Sequence, residues 1–306
     1  MRHRLALSAV ISVGFLTSLA AVAPPAVKPA VPPVAPPASG SAAPHALPPE
    51  EAGAMKALTG SPRHGEWVTV PLGGPDAGGK VEGLKTWISY PERKDKAPVV
   101  IVIHEIFGMT DWVRGVADQL AAEGFIAVAP DLLSGKGPNG GATDSFEGDK
   151  VGEAIRTLGA DEVVTRLNAA REYAIQLPAA TNKVACVGFC WGGTTAWTWA
   201  TNQPALDGAV VYYGTAPDSK EAIAAITCPV AGFYGGDDAR VTSTVERTKT
   251  LAAEAAKHFQ PNVYEGAGHG FLRQQSGREG KNKIAAQSAW NATIGFLHKA
   301  LEIGTK

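Results

Sequence analysis

The sequence predicts an α/β fold, with a mostly parallel central sheet of about eight strands flanked by helices. Three observations carry this expectation. From about Gly65 onward, short β-branched runs alternate with longer amphipathic segments, the rhythm of strands joined by crossover helices. One run, Val99-Val100-Ile101-Val102-Ile103, is apolar without interruption, as a strand buried on both faces requires. Hydrophobic residues make up 45% of the chain and charged residues 19%, enough for a substantial core.

Taken in order, strands are expected at Trp67–Val70, Leu84–Tyr90, Val99–His104, Ile126–Ala129, Val184–Phe189, Ala209–Tyr213, Val230–Tyr234 and Asn262–Tyr264. Helices are expected at Trp112–Glu123, Glu162–Gln176, Gly193–Thr201, Glu221–Ile226, Thr244–His258 and Ile284–Leu301. Gly73-Gly74-Pro75-Asp76 and Gly78-Gly79 punctuate a hairpin-like connection between the first two strands. One domain over residues 63–306 accommodates this inventory.

The beginning of the chain reads differently. Arg2 and Arg4 precede an apolar run from Leu5 to Leu19, with the small residues Ser18 and Ala20 around its end. That order is the one found in a secretory signal, expected here over residues 1–20. The run is short against the ~20 apolar residues of a membrane span, so export to the periplasm or medium is favoured over anchoring by an uncleaved leader. No stable span is expected once the leader is gone. From Ala21 to about Pro49 the residues are almost all Ala, Pro, Val and Ser. Proline fixes φ and removes a backbone donor, so residues 21–62 are assigned to an extended linker.

The chain carries 28 basic and 29 acidic residues, for a net charge of -1. No run of Lys or Arg marks a nucleic-acid face. Three cysteines, none in a CxxC pair, cannot form a disulfide framework. No metal-ligand spacing is visible, and no cofactor is expected.

The most informative stretch is Val184-Ala-Cys-Val-Gly-Phe-Cys190-Trp-Gly-Gly193. It reads as a strand, then G-x-C-x-G-G, then a helix. In a nucleophile elbow the reactive side chain stands on a sharp strand-to-helix turn, and glycines on both sides leave room for it. Gly188 and Gly192 hold those places and Cys190 holds the nucleophile's. This is the arrangement of the α/β-hydrolase fold. The helix beginning at Trp191 aims its N–H groups at the sulfur, which favours thiolate. The Trp191 N–H is also the first expected oxyanion donor. The second should come from the loop after the Val99–Ile103 strand. Cys186 lies about 13 Å up the same strand, too far for a disulfide, and reads as core. Cys228 reads as a small apolar filler.

On this fold the acid and then the histidine follow the nucleophile in the chain. His258 and His298 fall inside helical patterns, whereas His269 sits in the glycine-flanked segment Gly266-Ala-Gly-His-Gly270 after the last strand. His269 is therefore the expected base. Asp237 and Asp238 both follow the Val230–Tyr234 strand. The spacing to Val241 selects Asp238, leaving Asp237 as a turn former, although a slip of one residue would exchange them.

Together, His104-Glu-Ile-Phe-Gly108, Ala129-Pro-Asp-Leu-Leu133, Gly188-Phe-Cys-Trp-Gly-Gly193, Val211-Tyr-Tyr-Gly214, Gly235-Gly-Asp-Asp238 and Gly268-His-Gly-Phe271 resemble the marks of the dienelactone hydrolase family. They stand in the family's order and span roughly Glu66 to Leu301. The resemblance implies that Glu105 contacts the nucleophile and helps generate thiolate when substrate binds. It implies that the Ile106 N–H is the second oxyanion donor. It also implies that Arg273 grips a substrate carboxylate. The family uses two arginines for that task; Arg156, Arg240 and Lys150 are candidates for the second basic group, without a deciding motif.

The expected partner is thus a small-molecule ester or lactone, carboxylate-bearing where Arg273 reads it, met by a monomeric enzyme. An exported general carboxylesterase is the nearest alternative reading. A binding module without turnover, and a redox protein built on Cys190, are more distant ones. The intact set Cys190, Asp238 and His269 opposes the former, and the lack of a resolving cysteine nearby opposes the latter.

Overall fold

Strand β3 (Ala97–Ile103) is buried along its whole length, and the rest of the sheet is laid out around it. The computed structural model describes residues 44–73 and 82–303. The expected leader, the expected linker as far as residue 43 and most of the glycine-rich connection after Gly73 lie outside the described residues.

The other strands are β1 (Gly65–Leu72), β2 (Glu82–Ser89), β4 (Ile126–Pro130), β5 (Ala180–Phe189), β6 (Gly208–Tyr212), β7 (Val230–Gly235) and β8 (Phe259–Tyr264). The eight form one sheet in the order β1-β2-β4-β3-β5-β6-β7-β8. Pairings β1–β2 and β2–β4 are antiparallel. All others are parallel. Helices are α1 (Ala54–Thr59), α2 (Asp111–Ala122), α3 (Lys150–Thr157), α4 (Ala160–Ile175), α5 (Trp191–Asn202), α6 (Lys220–Ala225), α7 (Ala239–Thr242), α8 (Val245–Glu254) and α9 (Lys281–Ala300).

Alternation along the strands divides the core into two layers. Val100, Val102, Val187, Phe189 and Phe233 face one side and pack with Trp112 and Val116 of α2 and Trp290 and Ile294 of α9. Val99, Ile101, Ile103, Cys186 and Val211 face the other and pack with Leu167 of α4 and Trp197 and Trp199 of α5. Each fully buried side chain of this size contributes about 1.5–3 kcal/mol relative to exposure. The base from which β3 and β5 project the site is therefore rigid.

Each expected strand has its counterpart, and the differences have local causes. Strand β8 begins at Phe259 rather than Asn262. Pro261 obscures its start, but β8 is an edge strand, where a missing ladder donor is tolerated. Helix α8 stops at Glu254, because Ala256 adopts φ 52° and the Lys257 N–H returns to the Ala252 carbonyl at 2.8 Å. His258 consequently lies outside the helix expected to contain it.

The packed domain also begins earlier than residue 63. Ala54 is buried in the cluster that holds Trp112 and Val113. Pro49 packs so closely on α2 that its Cγ lies 2.6 Å from where a Gly115 Cβ would stand. Gln287 Nε2 donates to the His45 carbonyl at 2.8 Å, and Gln275 Nε2 donates to that of Pro48 at 2.9 Å. An Ala/Pro-rich composition suggests a tether, yet small and rigid residues also suit a segment laid flat on a finished surface. The stretch from 44 to 62 is such a strap.

Candidate active site

Cys190 joins β5 to α5 with φ 55° and ψ −116°. A non-glycine residue there is strained by an amount on the order of 1–3 kcal/mol, maintained only by its surroundings. The surroundings are tight. A Cβ on Gly188 would meet the Gly192 carbonyl oxygen at 2.0 Å, and one on Gly192 would meet that of His104 at 2.3 Å. The Cys190 N–H donates to the Tyr212 carbonyl at 3.1 Å, which ties the turn to the neighbouring strand. Of the three cysteines, Cys186 and Cys228 are buried and Cys190 alone is partly open.

His269 lies in the loop after β8, and its Nδ1 is 2.6 Å from Asp238 Oδ2. Asp238 is 8% exposed, whereas Asp237 turns outward to Arg278 at 2.9 Å. The geometry thus puts Asp238, and not its neighbour, on the imidazole. The Tyr213 ring lies 4.9 Å from that of His269, centroid to centroid.

Around the sulfur, the backbone N–H groups of Trp191 and Ile106 both lie close enough to favour its charged form. The two amides expected to stabilise an oxyanion therefore converge on one point. Burial nevertheless raises the Cys190 thiol above its ordinary value, and the Glu105 carboxylate raises it further, against the pull of the two amides and of Arg240. In the resting site the sulfur is held as thiol.

Glu105 follows β3 and is 2% exposed. Burial pushes its carboxyl up to about 7, although the nearby Arg273 pulls the other way. Arg273 Nε approaches Glu105 Oε2 at 2.6 Å, but the N–H is not aimed along that line, so the contact is an ion pair more than a hydrogen bond. The other end of the guanidinium pairs with Glu51 of the strap. Its carbon lies 4.7 Å from the centroid of the Phe107 ring, an exposed aromatic side chain.

Three residues of the site carried no role in the sequence reading. His104 is fully buried. Its Nδ1 lies 2.8 Å from the Glu105 carbonyl oxygen and its Nε2 3.2 Å from the Leu132 N–H. A neutral ring protonated on Nδ1 satisfies both, and burial accordingly depresses its pKa. The same ring stacks on Trp191 at 5.6 Å. His104 thus steadies both loops that supply the converging amides, a role that the His104-Glu-Ile-Phe-Gly108 motif contained without revealing. Tyr213 is buried with φ 40°. Its hydroxyl lies within the electrostatic reach of Glu105, Cys190 and Arg273. Glu51 is the third, and nothing in the local sequence pointed to it.

Arg240, on α7, is near enough to favour the Cys190 thiolate. Arg156, on α3, stands near Ile106, both side chains lying 3.6 Å from the position of a Gly152 Cβ. Among the described residues, no group of three or more His, Cys, Asp or Glu is arranged to hold a metal ion. No helix among them is long and apolar enough to cross a membrane.

Comparison with known proteins identifies a family. Residues 84–301 match the model of the dienelactone hydrolase family. A Yersinia pestis protein described as "Putative carboxymethylenebutenolidase" is 31% identical over 226 residues, covering 70% of this chain and 83% of its own. A Bradyrhizobium protein described as "Probable 2-oxo-3-(5-oxofuran-2-ylidene)propanoate lactonase" is 30% identical over 242 residues, 75% of this chain and 94% of its own. The crystal structure of a dienelactone hydrolase from Anabaena variabilis superposes with a TM-score of 0.58 at 20% identity, covering 78% of this chain and 99% of that one.

Proposed function

This chain belongs to the dienelactone hydrolase family, whose members hydrolyse esters or lactones, and on that premise we propose that it does so by acyl transfer through Cys190. The observation that carries the reading is the convergence of the Trp191 and Ile106 N–H groups beside the only partly open cysteine.

The thiol proton passes to His269, whose imidazolium is stabilised and oriented by Asp238. The thiolate attacks the carbonyl carbon, and the oxygen takes up negative charge between the two amides. As the C–O bond breaks, the imidazolium returns its proton to the departing alkoxide. Water then attacks the thioester with His269 as base, which frees the carboxylate product and restores the thiol. Glu105 has two opposed effects. Its charge disfavours thiolate at rest, which protects the sulfur from adventitious oxidation. With a pKa near neutrality, it can also receive a proton when the site is filled.

The test is a panel of esters and lactones on native and Cys190→Ala protein, with iodoacetamide labelling in parallel. Label should enter Cys190 well before Cys186 and Cys228, and activity should disappear with it. Equal labelling of the three cysteines, or turnover that survives in Cys190→Ala, would end this reading.

A further inference from the structure

We infer that Glu51 is a built-in anion that fills the outer face of the Arg273 guanidinium, so that the chain selects uncharged esters and lactones over carboxylate-bearing ones. This deepens the hydrolase reading above and rests on it.

Arg273 is placed to recognise an anion. Its side chain is only 11% exposed, it flanks the carboxylate beside the nucleophile, and it shares the surroundings of Tyr213 with Cys190. A guanidinium so placed would grip a substrate carboxylate through two parallel hydrogen bonds. The inner side of Arg273 is committed to Glu105, and Nη1 on the outer side is taken by the Glu51 carboxylate. One positive charge therefore already serves two negative ones, and an incoming carboxylate must displace one of them.

Glu51 is held in position, unlike a casual surface partner. Its own N–H donates to the Arg273 carbonyl at 3.1 Å. The preceding Glu50 accepts from the Ser276 N–H at 2.9 Å and from its hydroxyl at 2.5 Å. Gln275, itself buried, donates to Pro48. On its other side the strap is anchored by Ala54 in the core. The segment from Pro48 to Glu51 is thus clipped along the loop that carries His269 and Arg273. The bonds that clip the strap come from the Glu51 N–H, Gln275 and Glu50, so holding it in place needs no acidic side chain at 51. A carboxylate there changes what Arg273 can bind.

The experiment uses the full chain and two substrates with a common leaving group: 4-nitrophenyl butyrate, and the anionic 4-nitrophenyl monoester of glutarate. For Glu51→Gln, which keeps the shape and a hydrogen-bonding oxygen, kcat/KM for the anionic ester relative to the neutral one should rise about tenfold, as expected when a repulsive element is removed. The rise should vanish in the double variant Glu51→Gln/Arg273→Ala. A ratio unchanged within about twofold, or a rise that persists without Arg273, would overturn the inference. If the native protein cleaves neither ester, it is the hydrolase reading that has failed, and calorimetric binding of glutarate decides the inference separately. Glu51→Gln should then bind glutarate about tenfold more tightly than native protein and lose that gain without Arg273. Equal affinity in native and Glu51→Gln protein would overturn it.

Discussion

Replacing Glu105 by Gln separates the two forces that act on this carboxylate. Burial favours the neutral form and Arg273 favours the charged one, and the outcome is a pKa raised from 4.5 to about 7. Below about pH 4.5 the carboxyl holds its proton in both folded and unfolded chains. Between there and about pH 7 the folded chain keeps a proton that the unfolded chain has released. Stability is therefore lost as pH rises through this window and changes no further above it. At about 1.4 kcal/mol per pH unit, the rise corresponds to roughly 3 kcal/mol. Glu105→Gln removes the titration while preserving shape. Urea unfolding of both proteins at intervals from pH 4.5 to 8.5 should show the variant gaining on the native protein by about 3 kcal/mol, with most of the gain below pH 7. A difference that stays flat, or a native protein that gains on the variant as pH rises, would refute the reasoning. The latter outcome would mean that the ion pair with Arg273 outweighs burial.

Other expectations are simpler to state. Asp238→Asn should lower kcat/KM by about 10³–10⁴-fold, because the amide supports the wrong tautomer of His269; Asp237→Asn, which loses only an exposed pair with Arg278, should stay within about threefold. The reverse ranking in steady-state kinetics would show that Asp237 holds the imidazole. Cys190→Gly and Cys190→Ala should both be inactive, but the glycine variant should melt about 2–4 °C higher, since it relieves roughly 1 kcal/mol at a positive φ. Equal melting temperatures by calorimetry would mean that the elbow stores no such strain.

How much of this could be read from the sequence depends on how local each feature is. The elbow was legible because its backbone geometry demands glycine at fixed spacing, and Gly188 and Gly192 stand where any Cβ would strike backbone. The alternation of strands and helices was legible because burial on both faces leaves an unbroken apolar run at β3. Helix α8 stops at Glu254, just before Ala256 at φ 52°, with no glycine to announce it, so its end was not. Helices α1, at six residues, and α7, at four, are too short for their periodicity to register. The strap was misjudged for a different reason. Proline and alanine report that a segment lacks internal structure, but whether it docks depends on a surface assembled from residues far along the chain. The pairing of Glu51 with Arg273 spans 222 positions, and no single-sequence pattern encodes it.

That distant pairing bears on the chemistry as well as the architecture. Glu51 raises the proton affinity of Glu105, and Glu105 raises that of the Cys190 thiol. Arg273 stands between the two carboxylates and opposes the effect on Glu105. The charges therefore form a short series from the strap to the sulfur, in which each member alters the protonation of the next. A carboxylate that displaced Glu51 would supply a similar charge at the same end of the series and leave Glu105 much as before. A neutral substrate would leave Glu51 in place and act on the sulfur only through the two amides and His269. The strap thus contributes, through Arg273 and Glu105, to the electrostatics of the Cys190 thiol.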